Sequence, residues 1–513
     1  MTREASHLLR TRREKLDALR ERGIEPFAYA YDRTHRSEEA IRAFEEAEKG
    51  SAEESGDEIR VRVAGRIVSW RGHGKTAFAH IQDGAGRIQL YLRLDVLGEE
   101  AFEILSLLDL GDWIGAEGSL FRTRTGEVTL RTESWILLSK SLRPLPFGKD
   151  EVDPESRERI VHSGFADVQG RYRQRYADLA VNPEVREVFR TRAGVLTAIR
   201  RFLDGRGFLE VETPILQPIY GGAAARPFTT HHNALDTALY LRIADELYLK
   251  RLVVGGFERV YEIGKDFRNE GIDRVHNPEF TMLEFYQAFA DYHEMMGVVE
   301  ELLGSVADEV LGGPRLTYQG ESVSLAPPFA RVGFLNALND RLGEDVTAIG
   351  EAELRERAQG AAGEDLEPGA GRGRLLDKLF GALVEPLLVQ PTFVIDYPVE
   401  LSPLAKAKRG APGLTERFEL FVAGREIANA FSELNDPLVQ RERFEAQSRL
   451  REAGDDETHP IDEDFLRAME FGMPPMGGVG IGVDRLVMLL TDSASIRDVI
   501  LFPTLRPEEG GGA

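Results

Sequence analysis

Five short segments in which apolar and polar residues alternate follow one another between residues 59 and 138, and they constrain the fold more than any other feature of the chain. Turns that contain glycine separate them, and a helical stretch near 99–108 lies between the third and the fourth. The segments are 59–69, 76–82, 87–92, 113–123 and 127–138. Short strands at this spacing predict a five-stranded β-barrel with one helix in its connections.

The chain changes character after this predicted barrel, which is of the oligonucleotide-binding kind. Long helical patterns alternate with strands such as 259–263 and 393–397, without the regular strand–helix–strand rhythm of a parallel sheet. This predicts an α+β domain with helices packed on an antiparallel sheet. The predicted parts are a basic helix with a turn-rich, acidic connector (1–58, the connector over 45–58), the barrel (59–143), a linker (144–170), the α+β domain (171–507) and a disordered tail (508–513).

Charge and composition narrow the classes of function. The chain has 64 Lys and Arg residues against 87 Asp and Glu, a net charge of −23, which argues against nonspecific coating of nucleic acid but permits a local basic surface. The absence of cysteine excludes disulfides, thiolate zinc sites and cysteine nucleophiles. No segment has the pattern of a membrane span or a secretory signal, so we expect a soluble, cytoplasmic protein with no membrane partner.

A predicted hairpin over 259–284 carries the first group of candidate site residues. Its polar loop brings together Arg268, Glu270 and His276, and Phe280 follows on the returning strand. Arginine can grip a phosphate or carboxylate with two hydrogen bonds, protonated histidine can meet a terminal phosphate, and an aromatic ring can stack on a purine. The hairpin therefore predicts a nucleotide site. A structural salt bridge between Arg268 and Glu270 is the alternative.

A glycine-rich segment at 477–488 carries the second group. The chain continues for only about one helix beyond it, which argues against a dinucleotide-binding βαβ repeat. We expect the glycines to let the backbone approach a flat ligand, with Arg485 placed at a helix start against a phosphate. Upstream, Glu419 and Glu426 flank a strand and can hold Mg²⁺. Solvated charges at a strand end are the alternative.

Together these segments resemble the three signature motifs of class II aminoacyl-tRNA synthetases, and among them the bacterial lysyl-tRNA synthetases. The likeness runs from about residue 61 to 507 and is strongest in LYLRIA (239–244), GGAAARPF (221–228) and IRDVILFP (496–503). It implies activation of L-lysine with ATP and transfer of lysine to the 3′-terminal adenosine of tRNA(Lys). The alternatives are a paralogue that lysylates a protein, which would resemble the catalytic domain alone, and a non-catalytic RNA-binding paralogue, which would have lost residues such as Arg268 or Arg485.

The resemblance implies a role for each candidate residue at the nucleotide. Arg268 and Arg485 would be catalytic, with Arg268 on the lysine carboxylate and the α-phosphate, and Arg485 and His276 on the outer phosphates. Glu270 would contact the adenine amino group, and Phe280 would stack on adenine. The Mg²⁺ ligands would be Glu419, which is also part of the ATP site, and Glu426.

The lysine pocket implied by the resemblance accounts for the choice of amino acid. Two carboxylates, Glu246 and Glu284, suit an ε-ammonium, whereas the aspartate pocket of a sister enzyme needs cationic groups. Pairing of either glutamate with Arg242 or Arg485 is the alternative. The full lysine-binding set would be Gly222, Glu246, Arg268, Glu284, Tyr286, Asn429, Phe431 and Glu433.

In the barrel, the resemblance implies that anticodon bases stack on an aromatic ring and bond to polar side chains. The residues would be Arg66, Phe78, Gln89 and Glu127, and packing of Phe78 in the barrel core is the alternative. The basic helix at 2–22 would add a tRNA contact, with a solvated helix as the alternative. Pro214 removes a donor from a strand and suits an edge; the resemblance places it at a homodimer interface.

Four positions depart from the family pattern. Asp245 stands where relatives often have proline, and Val275 stands where a basic residue is common, with Arg274 one position earlier. Ala428 and Ala430 flank Asn429 where glycines are common in some relatives, which predicts a slightly narrower pocket.

Overall fold

The computed structural model describes residues 3–50, 58–152, 159–162, 164–363, 370–452 and 460–508. The chain divides into two compact units, Met1–Asn182 and Pro183–Ala513, and each has a hydrophobic core of its own. The first unit holds the predicted barrel and the second holds the predicted α+β domain. Within the predicted tail, residues 509–513 lie outside the described residues.

The first unit contains a closed barrel with the strand order β1-β2-β3-β5-β4, in which only β3 and β5 run parallel. Its helices are α1 (Arg3–Glu21), α2 (Ser37–Gly50), α3 (Leu94–Leu97), α4 (Glu99–Ile104), α5 (Val168–Arg173) and α6 (Arg175–Val181). Its strands are β1 (Arg60–His73), β2 (Thr76–Gln82), β3 (Arg87–Arg93), β4 (Trp113–Arg122), β5 (Val128–Ser139), β6 (Lys149–Val152) and β7 (Arg159–His162). The prediction of a five-stranded barrel with a helix between the third and fourth strands is confirmed.

Strand alternation explains the barrel core. Along β2, Ala77, Ala79 and Ile81 are buried in the core, because alternate side chains of a strand share one face. Phe78 lies between them on the other face and is only half-buried. The alternative that Phe78 packs the barrel core is therefore wrong.

In two segments that flank the barrel, the structure contains helix or strand where the sequence predicted a connector and a linker. The acidic connector predicted over 45–58 is wrong for residues 45–50, which continue the amphipathic helix α2; residues 51–57 lie outside the described residues. Within the predicted linker, β6 and β7 pair as an antiparallel hairpin. The limits of the five predicted parts stay predictions.

The second unit mixes helices and strands in irregular succession, as predicted. Its helices are α7 (Pro183–Gly205), α8 (Glu246–Val254), α9 (Tyr292–Leu311), α10 (Phe334–Leu342), α11 (Glu351–Ala362), α12 (Arg372–Leu383), α13 (Pro437–Glu452), α14 (Glu463–Glu470), α15 (Val483–Leu490) and α16 (Ile496–Val499). Its strands are β8 (Leu209–Glu210), β9 (Leu216–Gln217), β10 (Thr229–His232), β11 (Thr237–Leu241), β12 (Arg259–Phe267), β13 (Glu279–Ala288), β14 (Arg315–Tyr318), β15 (Glu321–Ser324), β16 (Ala330–Gly333), β17 (Thr392–Ile395), β18 (Ala407–Lys408), β19 (Ala411–Thr415), β20 (Arg417–Val422), β21 (Arg425–Ser432) and β22 (Met476–Gly482).

An eight-stranded sheet in the order β16-β17-β20-β21-β22-β13-β12-β8 organises this unit. Its six central strands are antiparallel, as predicted, and each edge strand pairs in parallel with its neighbour, so the whole sheet is mixed. Helices α7, α9 and α15 pack on the sheet and share one large apolar core with it. In the described part of the chain, no helix has both the length and the apolar character needed to cross a membrane.

Candidate active site

One cavity of about 1040 Å³ in the second unit is lined by every residue that the sequence analysis assigns to lysine, ATP or metal. It lies on the sheet face opposite the large core, because alternate residues of β13 line it: Phe280, Met282, Glu284 and Tyr286. Strands β20, β21 and β22 contribute further lining residues, among them Glu419, Asn429 and Gly480. The sheet therefore brings together residues as distant in sequence as Gly222 and Arg485.

Arg268 projects from the end of the β12–β13 hairpin with few partners of its own. Its guanidinium carbon lies 5.0 Å from the centre of the Phe280 ring, and its Nε makes one long hydrogen bond, 3.5 Å, to the carbonyl of Ile243. Among the described residues, no carboxylate lies within salt-bridge distance of Arg268, and Glu270 is exposed. The alternative of an Arg268–Glu270 salt bridge is therefore wrong, and the guanidinium keeps donors for a ligand.

Arg485 and His276 meet at the open part of the cavity. Arg485 Nη2 lies 3.3 Å from His276 Nε2, and His276 Nδ1 lies 2.8 Å from Asp273 Oδ2. Arg485 Nη1 also donates to the Glu426 carbonyl at 2.9 Å and to Glu426 Oε2 at 3.1 Å. In the same loop Val275 lines the cavity, whereas the exposed Arg274 does not.

Asp484, which the sequence analysis missed, anchors the start of α15 and so orients Arg485. The carboxylate is buried; Oδ1 bonds Arg192 at 2.6 Å, and Oδ2 accepts the Thr281 backbone N–H at 2.6 Å. The sequence signal that could have identified Asp484 is its position directly before Arg485, the predicted phosphate-binding residue.

The carboxylates around Glu419 crowd one another. Burial, together with the carboxylates of Glu426 and Asp377, raises the pKa of Glu419 to about 7. Burial and the nearby Glu419 likewise raise the pKa of Glu385 to about 7. Tyr397 donates a hydrogen bond to Glu419 Oε2 at 2.8 Å. Concentrated carboxylate oxygens of this kind fit a hard divalent cation. Sequence reasoning found Glu419 and Glu426 but missed the other two carboxylates, because no motif marks them.

The buried end of the cavity is acidic. Tyr286 donates its hydroxyl to Glu284 Oε2 at 3.1 Å, and the Asp245 backbone N–H donates to Glu284 Oε1 at 3.2 Å. Burial, with the carboxylates of Asp266 and Glu246, holds the pKa of Glu284 well above its usual range. Among the described residues, no lysine or arginine nitrogen lies within 4 Å of this carboxylate.

Lys250, also missed by the sequence analysis, lies behind this end of the cavity. Its ammonium forms salt bridges with Glu246, one helical turn earlier, and with Glu433 Oε2 at 2.5 Å. The predicted alternative, in which Glu246 or Glu284 pairs with Arg242 or Arg485, is therefore wrong: the partner of Glu246 is a lysine and Glu284 has no cationic partner among the described residues.

Arg242 instead neutralises a separate group of acids behind Glu284. Its guanidinium forms ion pairs with Asp245 at 2.8 Å, Glu262 at 2.6 Å and Asp266 at 3.3 Å, and of these three only Glu262 accepts a hydrogen bond from it. One guanidinium serves three carboxylates, so burial and the charges of Asp266 and Glu284 raise the pKa of Asp245 far above its ordinary value. The departure at position 245 thus adds a buried carboxyl group beside the pocket.

Arg417, at the start of β20, links the two ends of the cavity: it forms an ion pair with Glu419 and also contacts β21. Its Nε donates to Asn429 Oδ1 at 3.2 Å, and its guanidinium carbon lies 5.6 Å from the centre of the Phe431 ring. Asn429 and Phe431 line the cavity, while Ala428 and Ala430 belong to the core on the opposite face of the sheet. The expectation that these alanines narrow the pocket is therefore wrong.

On the barrel, polar side chains surround the predicted anticodon residues. Gln89 Nε2 donates to Glu127 Oε2 at 2.8 Å, and His80 Nε2 lies 2.7 Å from Glu127 Oε1. Phe78 stacks on Tyr91 with ring centres 4.7 Å apart. The sequence analysis missed His80 and Tyr91. Strand alternation could have indicated both, because His80 follows Phe78 on the same face of β2 and Tyr91 follows Gln89 on the same face of β3.

Arg66 has different surroundings from the other three. Its Nη1 donates to the Gly111 carbonyl at 2.9 Å, and its guanidinium carbon lies 4.8 Å from the centre of the Trp113 ring. It has no hydrogen bond or ring contact with the group around Gln89 in the described structure.

Pro214 is exposed, and three exposed apolar residues follow it closely in the sequence. Its neighbours Ile215 and Leu216 are 45% and 50% exposed, and Ile219 is 37% exposed. Several large apolar side chains grouped on a surface are unusual for a face that stays in water.

Comparison with known proteins agrees with this geometry. A family described as tRNA synthetases class II (D, K and N) matches residues 167–506, and one described as an OB-fold nucleic acid binding domain matches residues 61–138. The chain is 56% identical to a lysine–tRNA ligase of Pelotomaculum thermopropionicum, over 99% of this chain and 96% of the relative. It is 55% identical to one of Moorella thermoacetica and 49% identical to one of Bacillus subtilis, each over 98% of both chains.

The barrel, the sheet with its antiparallel central strands and the cavity on that sheet define a class II synthetase with an OB-fold. The chain belongs to this class and, within it, to the lysine–tRNA ligase family.

Proposed function

We propose that this chain is a lysine–tRNA ligase, which converts L-lysine and ATP into lysyl-adenylate and pyrophosphate and then transfers the lysyl group to the 3′-terminal adenosine of tRNA(Lys). The observation that carries the proposal is the buried acidic end of the cavity. Glu284 accepts hydrogen bonds from Tyr286 and a backbone amide but has no cationic partner among the described residues. A closed pocket with such a carboxylate suits an ε-ammonium and rejects an acidic side chain.

In this proposal the lysine spans the cavity from Glu284 to Arg268. Arg268 holds the lysine carboxylate against the α-phosphate of ATP, and its lack of a salt bridge in the described structure supports that role. The attacking carboxylate is already ionised at neutral pH, so the step needs no general base. The chain contributes by positioning the reactants and by placing positive charge where the phosphate becomes more negative.

The nucleotide occupies the open part of the cavity. Phe280 stacks on adenine, Glu270 accepts from its amino group, and Arg485 with His276 meets the outer phosphates. The 3.3 Å approach of these last two side chains supports the assignment of one shared anion site to them.

We assign the divalent cation as Mg²⁺ and its ligands as Glu419 and Glu426. When bound, Mg²⁺ neutralises phosphate oxygens of ATP. The crowding of carboxylates that raises the pKa of Glu419 supports a cation at this place.

The barrel would bind the anticodon of tRNA(Lys) in the cytoplasm. Phe78 is half-buried and outside the core, so its ring can accept a base, and Gln89 with Glu127 offers polar edges beside it. We assign Arg66 to the same function from family resemblance, at a different place on the barrel. The N-terminal helix, α1, adds basic side chains. A homodimer formed through the apolar surface around Pro214 completes the proposal.

ATP–pyrophosphate exchange tests the proposed activity without tRNA. Purified protein with Mg²⁺ is given each standard amino acid separately, and exchange is expected with lysine alone and is lost when a chelator removes the metal. Exchange with aspartate or asparagine would overturn the lysine assignment. Exchange with no amino acid would point to a non-catalytic paralogue.

A further inference from the structure

Lys250 is a buried ammonium group directly behind the amino-acid end of the cavity. Its side chain is fully buried on α8, while Glu246 and Glu433, its two ion-pair partners, line the cavity. Burying an ammonium is costly unless it is well paired, so its presence calls for an explanation in terms of these two carboxylates.

The oxygens of the two carboxylates divide between Lys250 and the cavity. Lys250 holds Glu246 Oε1 and Glu433 Oε2. The other oxygen of each lies against a glycine that lines the cavity: a Cβ on Gly222 would stand 3.8 Å from Glu246 Oε2, and a Cβ on Gly478 would stand 2.2 Å from Glu433 Oε1. Both oxygens of Glu433 are buried without a hydrogen-bond partner in the described structure, so the contact of Oε2 with Lys250 is an ion pair and Oε1 has no partner of either kind.

At this end of the cavity two of the three carboxylates are paired with Lys250, and Glu284 has no cationic partner in the described structure. Glu246, Glu284 and Glu433 supply three carboxylates, and Lys250 supplies one fixed positive charge. Arg417 adds only a more distant attraction on Glu246. Without Lys250, two neighbouring buried carboxylates would repel each other and share a proton. An incoming ammonium would then be drawn between them and away from Glu284.

Resting on the proposed function, we propose that Lys250 is a positioning residue for lysine recognition: by holding and partly neutralising Glu246 and Glu433, it makes the pocket bind one ammonium, beside Glu284. Lys250 does not touch the substrate. It acts through the two carboxylates, and it favours a side chain that carries one terminal ammonium.

Lys250→Met tests this, because methionine keeps most of the volume and removes the charge. We expect the KM for lysine in ATP–pyrophosphate exchange to rise at least about tenfold, with the KM for ATP unchanged. The lysine KM of the variant should also fall more steeply than that of the parent protein between about pH 6 and about pH 9, because the shared proton must leave before the ammonium binds. A merely structural lesion would not produce this pH profile.

Two further variants complete the experiment. Lys250→Arg keeps the charge and should rescue the lysine KM to within about threefold of the parent. Lys408→Met removes an ammonium that is ion-paired with Asp396 at 2.5 Å away from the cavity, and it should change neither KM.

The outcomes separate this inference from the proposed function. Failure of the parent protein to exchange with lysine would refute the function itself. A parent that exchanges with lysine, together with a folded Lys250→Met whose lysine KM and pH profile are unchanged, would refute the inference alone. Should Lys250→Met fail to fold, a folded Lys250→Arg with a lysine KM raised tenfold or more would also refute it, because the charge would be present without the effect.

Discussion

Arg485 Nη2 lies 3.3 Å from His276 Nε2, and this contact joins the start of α15 to the loop between β12 and β13. Because Glu426 holds Nη1 of the same guanidinium at 3.1 Å, Arg485 is already oriented before a ligand arrives. Orientation before binding is what makes a charged donor effective on a reacting phosphate.

Replacement of Arg485 by alanine should therefore slow lysine-dependent ATP–pyrophosphate exchange by at least about 100-fold. The matched control is Arg441→Ala, which removes an arginine paired with Glu463 at 2.7 Å outside the cavity and should leave the rate unchanged. Equal rates for Arg485→Ala and the parent protein would contradict the phosphate assignment.

Glu284→Gln should raise the KM for lysine at least about 30-fold while the KM for ATP stays the same. The Glu284 carboxylate pairs with no cation of the chain in the described structure, so removal of its charge should weaken only the binding of the substrate ammonium. Glu279→Gln alters an exposed glutamate at the start of the same strand and serves as the control. A lysine KM that does not respond to Glu284→Gln would rule out its ammonium-binding role.

Asp245→Asn should stabilise the protein at neutral and alkaline pH. Its folded-state pKa lies far above the ordinary 3.8, so the carboxyl group costs stability that grows as pH rises above about 4 and is absent below it. Its side chain makes no capping hydrogen bond to α8 that asparagine would lose. Thermal unfolding should give a Tm higher by roughly 2–5 °C near pH 8 and equal Tm values near pH 4.

The control for this measurement is Asp340→Asn on the exposed surface of α10. A Tm difference of Asp245→Asn that is the same at both pH values would show that the ion pair with Arg242, and not the cost of ionisation, dominates.

Phe78→Ala should raise the KM for tRNA by about 5- to 100-fold, because one stacked base is lost, and should leave exchange without tRNA intact. Phe27→Ala, which alters an aromatic ring that is 40% exposed elsewhere on the first unit, is the matched control. Loss of exchange in Phe78→Ala would contradict the assignment of tRNA binding and adenylation to separate units.

Leu216→Asp should dissociate the proposed homodimer, because it places a charge in the apolar surface beside Pro214. Light scattering during size exclusion should give twice the chain mass for the parent protein and for Leu438→Asp, a change at a leucine that is 72% exposed on α13. It should give the mass of one chain for Leu216→Asp. A parent protein with the mass of one chain would refute the dimer.

Local patterns in the sequence predicted the elements that depend on periodicity. Alternation predicted all five barrel strands, and the hairpin motif placed Arg268 directly after β12 and Phe280 near the start of β13. Both features follow from contacts between residues near in sequence, where strand period and turn chemistry decide the outcome.

The sequence contained less information on which charged side chains pair across different helices and strands. The sequence analysis expected an arginine as the competing partner of Glu246, whereas helix α8 supplies Lys250 from its own next turn and β21 brings Glu433 to it. Asp377 and Glu385 approach Glu419 only because α12 and the segment after it pack near β20. No spacing rule marks such encounters.

The sequence by itself determined the two-part architecture, the family and those cavity residues that lie in the signature motifs, because strand and helix periods and the motifs are local properties. Only the tertiary structure decided which buried carboxylates are neutralised and which stay unpaired. That distinction depends on a few ångströms between side chains on different elements, and the free energy of a buried charge changes steeply over such distances.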